Sequence, residues 1–196
     1  MKVSSELLLQ DLSDRNCAFV EQVRVWTTTL PPAARHWKAQ PQQWSFLECL
    51  EHLNRYGDFY LPELERVVQA APSAPAAGMF RSGWLGNYFV QLIAPREGRV
   101  TKKMKTPTPM DPSQDEVDEG VLPRFFEQQA RYRAVLRAAR RVDLTRCKTA
   151  ISLTPWIKLR LGDTLRFVIF HHLRHQQQLR DGVAQWQQQN VLGKVQ

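Results

Sequence analysis

The sequence predicts an all-α protein, built as a four-helix bundle with a long crossover connection between the second and third helices. Four segments carry apolar residues at intervals of three and four, which is the spacing of one face of an α-helix. We find no run between them that alternates apolar and polar residues, and therefore expect no substantial sheet. Four amphipathic helices without a sheet are typical of a helix bundle.

The first predicted helix runs from about Ser5 to Thr29. Its apolar side chains recur at helical spacing, at Leu8, Leu12, Phe19, Val23 and Trp26. The sequence Leu30-Pro31-Pro32 ends it, because proline has no backbone N–H and restricts the residue before it.

The second predicted helix begins after Ser45, a suitable N-cap, and Glu48 three residues later completes a capping box. Its apolar positions continue to about Ala71. Pro62 lies inside this pattern, and we expect a kink or a break there because proline removes a helical hydrogen bond.

A long connection from Pro72 to Pro112 follows, enriched in proline, glycine and alanine. Within it, 83–93 is apolar enough for a short helix, and 99–109 is expected to be extended chain. A connection of this length suits a crossover between helices that are not simple up-and-down neighbours.

The third predicted helix spans Val121 to Val142, and the fourth starts at Gly162-Asp163-Thr164 and continues to about Gln189. Asp163 or Thr164 is expected to cap the fourth helix. The stretch from Val142 to Pro155 is interpreted as the connection between the two.

Length and composition predict one folded domain over residues 1–196, because 43% hydrophobic and 23% charged residues are close to globular averages. No segment has the apolar length of a signal peptide or a membrane span, so we expect a cytoplasmic location and no membrane partner. The three cysteines lack C-x-x-C spacing and are expected to be reduced, buried thiols.

The formal net charge of +8 makes nucleic acid a candidate partner. Arginines concentrate in the third predicted helix, but such a helix is usually a solvated face, and no recognition motif for either groove of a duplex is present. We therefore do not expect nucleic-acid binding to be the main function.

Five histidines are the residues most suited to a metal site. On the fourth helix His171 and His175 are four residues apart, a spacing that brings two imidazoles together on one face. His172 and His175, three apart, are an equally acceptable pair by spacing alone. His52, midway along the second helix, is a candidate third ligand, although a core histidine bonded to a neighbour fits its pattern as well. His36 lies in a proline-flanked linker and is excluded.

Four segments together resemble the DinB/YfiT-like superfamily in order and spacing, over about residues 7–186. They are W-S-F-L-E-C-L-E-H-L at 44–53, K-T-P-T-P-M-D-P at 105–112, D-L-T-R at 143–146, and L-G-D-T-L with H-H-L-R-H-Q-Q-Q from 161 to 178.

The resemblance implies a four-helix bundle whose metal ion is bound by one histidine of the second helix and an H-x-x-x-H pair of the fourth. Carried over by position, the ligands are His52, His171 and His175, and His172 is excluded. Gln178 matches a recurrent glutamine one turn past the last ligand, with a role in supporting the ligand or in packing. We also expect Glu48, one turn before His52, to orient it.

Three histidine ligands leave a coordination position open, as in catalytic zinc sites. Since some members of the superfamily are similar to thiol transferases, we expect a metal-dependent transferase or hydrolase with a low-molecular-weight thiol as possible co-substrate. The alternative is a non-catalytic metal-binding stress-response protein, and a nucleic-acid binder is the third. The ion is expected to be zinc or nickel, with iron, manganese or copper as alternatives. A small-molecule substrate and a homodimer are the expected partners.

Overall fold

The computed structural model describes residues 1–73, 78–95, 104–152 and 154–192. Its elements are β1 Lys2–Ser4, α1 Ser5–Thr29, α2 Pro32–His36, α3 Phe46–Ala70, β2 Met79–Arg81, α4 Trp84–Ile93, α5 Val121–Ala138, β3 Lys148–Ile151, β4 Thr154–Arg160 and α6 Leu161–Leu192. The described chain is mostly helical, as predicted. The four long predicted helices are α1, α3, α5 and α6, and the predicted short helix is α4.

Both long helices of the N-terminal half begin at a serine. The Ser4 hydroxyl accepts a hydrogen bond from the backbone N–H of Leu7, at 3.4 Å, and caps α1. Before α3, the Ser45 hydroxyl accepts from the Glu48 N–H at 3.2 Å, and the Glu48 carboxylate accepts from the Ser45 N–H at 2.7 Å. The predicted capping box is therefore present.

Pro62 does not break α3, which continues from Phe46 to Ala70 as one helix. The side of the helix that carries Pro62 is exposed. Water can therefore reach the Asp58 carbonyl that loses its helical donor, which lowers the cost of an internal proline. The prediction of a break at this position is wrong.

Two short antiparallel ribbons are present that the sequence analysis missed. β1 pairs with β2 through Lys2 and Arg81, and β3 pairs with β4 through Lys148 and Arg160. The strands of the first ribbon have three residues each, too few to establish an alternating pattern. The second ribbon begins within the stretch from Val142 to Pro155, which was interpreted as the connection between the last two helices, and continues to Arg160.

The start of α6 differs from the prediction. The helix begins at Leu161, so Asp163 and Thr164 lie inside its first turn and neither is the N-cap. The Asp163 carboxylate instead accepts hydrogen bonds from the Ser82 hydroxyl and from the Gly83 N–H, the latter at 2.8 Å. The Thr164 hydroxyl bonds to that of Thr149 at 2.6 Å. Both polar groups are used for tertiary contacts.

The extended chain predicted for 99–109 falls partly on residues 99–103, which lie outside the described residues. Residues 104–107 have no regular structure, and Thr108–Met110 form a 3-10 turn instead of extended chain. Pro109 fits this turn because its fixed φ is close to the value that the turn needs.

The four long helices pack around an apolar core, in which α1 and α3 each contact both α5 and α6. One part of the core surrounds Leu12, Tyr60 and Leu165, and another surrounds Phe19, Leu50 and Phe125. The contact between α3 and α6 brings the middle of the second predicted helix beside the H-x-x-x-H pair. No helix in the described ranges has the length and apolar character needed to cross a membrane.

Candidate metal centre

His52 on α3 meets His171 and His175 on α6 inside the protein, and all three side chains are buried. The Nε2 atom of His171 lies 3.3 Å from Nε2 of His52 and 3.1 Å from Nε2 of His175. Among the described residues these three form a group whose ligand atoms all lie within 4.8 Å of one another. The convergence expected from the sequence is therefore present.

These distances fit a metal ion. Nitrogen atoms bound to a tetrahedral ion at about 2.05 Å are separated by about 3.3 Å. The Nε2 atoms of His171 and of its two neighbours already have this separation. A divalent ion placed between the three nitrogens could accept a lone pair from each of them, so the arrangement suits such an ion.

His52 is oriented by a backbone carbonyl of the 3-10 turn. Its Nδ1 lies 2.7 Å from the carbonyl oxygen of Met110. A carbonyl only accepts, so Nδ1 carries the proton and Nε2 keeps its lone pair for the centre. Arg55, one turn later on α3, donates to the carbonyl oxygens of Pro109 and Asp111, at 3.4 Å and 2.9 Å, and so holds the turn on both sides of Met110.

His175 is oriented in the same way by a side chain of its own helix. Its Nδ1 donates to Oε1 of Gln178 at 3.0 Å. This contact decides between the two roles expected for Gln178, because the amide supports the histidine directly. The Cys49 thiol also approaches the same nitrogen, with Sγ 3.6 Å from Nδ1. Burial raises the pKa of Cys49, so the thiol is uncharged.

The histidines are neutral at neutral pH. Burial lowers the pKa of His52 to about 4 and lowers the pKa values of His171 and His175 well below the usual range, further assisted by the neighbouring histidines. A neutral imidazole is the form that binds a metal ion. The centre therefore offers nitrogen ligands that need not first lose a proton.

Aromatic rings surround the histidines. The Tyr56 ring lies 4.4 Å from that of His171, and the Trp44 ring lies 4.6 Å from that of His52, measured between ring centroids. Phe167 stacks on His171 at 6.0 Å. Burial raises the pKa of Tyr56 to about 12, so its phenol stays protonated. The three rings around the histidines are thus uncharged and largely apolar.

A model of the DinB superfamily matches residues 18–179 of this chain. The chain belongs to the DinB superfamily. The resemblance recognised from the sequence motifs is therefore confirmed, and the matched range includes all three histidines of the centre. No curated protein matches the chain, and no solved structure does.

The two other histidines lie away from the centre of this DinB domain. His172 is buried between α1 and α5, where its Nδ1 lies 3.2 Å from Oδ1 of Asn16 and its ring contacts those of Phe19 and Tyr132. His36 is half exposed at the end of α2, near Glu119. Neither residue belongs to the group formed by His52, His171 and His175.

Glu48 does not orient His52, contrary to expectation. Its carboxylate is occupied by the Ser45 N–H and by Lys38, whose Nζ lies 2.7 Å away. Sequence reasoning also missed the Met110 carbonyl, Tyr56 and Phe167. A signal was available for the first, because the K-T-P-T-P-M-D-P segment belongs to the resemblance.

Proposed function

We propose that this DinB-superfamily protein is a metal-dependent enzyme with one divalent ion on His52, His171 and His175. The observation that carries the proposal is the convergence of three neutral Nε2 atoms at separations that suit one ion. We infer a transferase or hydrolase reaction with a low-molecular-weight thiol as co-substrate and a small electrophile as substrate. Zinc and nickel are the first candidates, and iron, manganese and copper follow.

The bound ion would act as a Lewis acid that favours the charged form of a coordinating thiol or water. The protein supplies the orientation of its ligands. Met110 and Gln178 hold the Nδ1 protons of His52 and His175, so the Nε2 atoms point inward. The Tyr56 phenol beside His171 keeps its proton at neutral pH and is suited to donate a hydrogen bond to a substrate oxygen.

We infer that α1, α3, α5 and α6 form a four-helix bundle in one domain, with the connection between α3 and α5 as the crossover. Support comes from the contacts that α1 and α3 each make with both α5 and α6. The homodimer and the cytoplasmic location stay predictions from the sequence.

Cobalt-substituted protein tests the reaction chemistry. A low-molecular-weight thiol should produce a sulfur-to-metal charge-transfer band, and the band should be absent from His175→Ala. His36→Ala is the matched control, because this exposed histidine lies outside the centre. Thiol addition to an electrophilic test substrate should then depend on the metal.

Two results would change the proposal in different ways. If cobalt binds but no thiol from a panel of bacterial thiols changes the spectrum or reacts, the non-catalytic metal-binding alternative replaces the enzyme. If neither cobalt, zinc nor nickel binds stoichiometrically to the folded protein, the metal centre itself is wrong.

A further inference from the structure

The outward face of the two ribbons carries a group of cations. Lys2 pairs with Arg81 and Lys148 with Arg160, and cross-strand partners project from the same face of a ribbon. Lys158 shares this face because it lies two residues before Arg160 on β4. The four strand sequences contain no aspartate or glutamate.

The two ribbons adjoin one another. The Arg160 guanidinium donates to the Arg81 carbonyl at 2.6 Å, and the Arg81 N–H donates to the Thr145 hydroxyl at 3.2 Å. The Arg160 side chain also lies beside Gly83, since a Cβ there would be 3.8 Å from Nε. The cations of both ribbons therefore belong to one continuous surface next to the start of α4.

Two tryptophans extend outward within this surface. Trp156 is 91% exposed and lies two residues before Lys158, which is also exposed, on β4. Trp84 is 84% exposed and directly follows Gly83, against which Arg160 lies. We call Lys2, Arg81, Trp84, Lys148, Trp156, Lys158 and Arg160 the ribbon face.

The ribbon face differs from α5, the helix whose arginines made nucleic acid a candidate partner in the sequence. Arg124 pairs with Glu51 and Asp58, and Arg131 pairs with Glu65 at 2.8 Å. Two of the four arginines of α5 are thus paired with carboxylates of α3. On the ribbon face, none of the four cations Lys2, Arg81, Lys148 and Lys158 pairs with a carboxylate of the described residues.

We propose that the ribbon face binds single-stranded nucleic acid. Lysine and arginine contact the backbone phosphates, and the exposed rings of Trp84 and Trp156 stack on unpaired bases. The distance along β4 from Trp156 to Arg160 is roughly 13 Å, enough for a few nucleotides. This activity is separate from the metal centre.

The placement of the rings among the cations favours a single strand over other polyanions. A bilayer surface is met by a contiguous apolar patch with cations at its border. Here each exposed indole lies next to a cation, Trp156 two residues from Lys158 and Trp84 directly after Gly83, against which Arg160 lies. Double-stranded nucleic acid keeps its bases stacked inside and leaves no face for the indole rings. Bases of a single strand are free to stack, so this occupant uses both features of the surface.

The test is binding of fluorescein-labelled dodecathymidylate to the full chain, followed by anisotropy. Four phosphate contacts predict a Kd that weakens roughly 50-fold between 50 and 200 mM salt. Trp84→Ala combined with Trp156→Ala should weaken binding at least tenfold, and so should Lys148→Glu combined with Lys158→Glu. Circular dichroism checks that each exposed-site variant keeps its helical content.

The matched control is Arg137→Glu combined with Arg141→Glu, two exposed arginines that give the same change in net charge outside the ribbon face. The affinity of this control variant for dodecathymidylate should be less than threefold below that of the unchanged protein. An equal loss in both charge variants would overturn the proposal, because overall charge would explain the binding. Tighter binding to vesicles of phosphatidylcholine with 30% phosphatidylglycerol, lost in the tryptophan variant, would also overturn it in favour of a lipid surface.

Discussion

At the scale of single residues, His52 and His175 present Nε2 to the centre because each Nδ1 has an oxygen acceptor of its own. The helical spacing of His171 and His175 could be predicted from the sequence, and family resemblance selected His52. The family motif that contains Met110 marked this segment, but it did not single out the Met110 carbonyl, because every residue has such a group. Only the path of the turn brings this carbonyl to within 2.7 Å of His52.

Tyr132→Phe should stabilise the protein. The Tyr132 hydroxyl is fully buried and has no hydrogen-bond partner within the described part of the chain. An unsatisfied buried hydroxyl costs about 1–3 kcal/mol, so its removal should raise the melting temperature by roughly 2–4 °C or more. Thermal unfolding followed by circular dichroism measures the shift.

Tyr60→Phe is the matched control, since Tyr60 is equally buried but its hydroxyl bonds to the hydroxyl and the N–H of Ser152, both at 3.2 Å. Loss of the Tyr60 hydroxyl should lower the free energy of unfolding by about 1 kcal/mol. A fall in melting temperature for Tyr132→Phe as well would show that its hydroxyl has a partner, such as an internal water.

At the scale of elements, α4 is fixed to α6 by a buried polar cluster. Arg166 pairs with Asp163 within α6 at 3.2 Å. It also donates to Oδ1 of Asn87 on α4 at 3.3 Å and to the Ser82 hydroxyl at 3.0 Å. The apolar composition of 83–93 was sufficient to predict the helix, but not its position. The first ribbon was missed for a related reason: β1 pairs with β2 across more than seventy residues, and no local periodicity indicates such a pairing.

Gly86→Ala should destabilise the protein because α4 approaches α6 closely at this glycine. A Cβ on Gly86 would overlap the Asp163 carboxyl group, which is itself buried. Such overpacking costs about 1–3 kcal/mol. The free energy of unfolding from urea titration measures this loss.

Gly182→Ala provides the opposite case within α6, since a Cβ there would meet nothing within 4 Å. It should stabilise the protein by about 0.5–1 kcal/mol through the helix propensity of alanine. Equal effects of the two substitutions would contradict the close approach of α4 to α6.

Arg55→Met should weaken metal binding although Arg55 does not face the ion. Arg55 holds the carbonyls on both sides of Met110, and Met110 orients His52. Loss of such support for a ligand typically costs 10- to 100-fold in metal affinity, and we expect about tenfold. Competition with a chromophoric chelator measures the affinity. Arg66→Met, which removes an exposed pair with Glu63, should leave it unchanged.

At the scale of the whole molecule, the centre joins parts of the chain that are distant in sequence. His52 and His171 are 119 positions apart and belong to different helices. The sequence was sufficient to expect this convergence because the apolar stripes and the family motifs specify which faces of the helices meet. It gave no information on the ribbon face, whose charges become one surface only when the two ribbons adjoin.

An ion held by both α3 and α6 should stabilise the folded chain, since the unfolded chain does not hold the three nitrogens together. Zinc or nickel at 100 times its Kd should add about 2.7 kcal/mol to the free energy of unfolding. His52→Ala should abolish this gain because α3 loses its ligand. His172→Ala should lower the free energy of unfolding of the metal-free protein, since the contact with Asn16 is lost. The increase in this free energy on adding metal should stay the same as in the unchanged protein. Calorimetry of the three proteins with and without metal measures both quantities. A gain that disappears in His172→Ala and persists in His52→Ala would exclude His52 as a ligand.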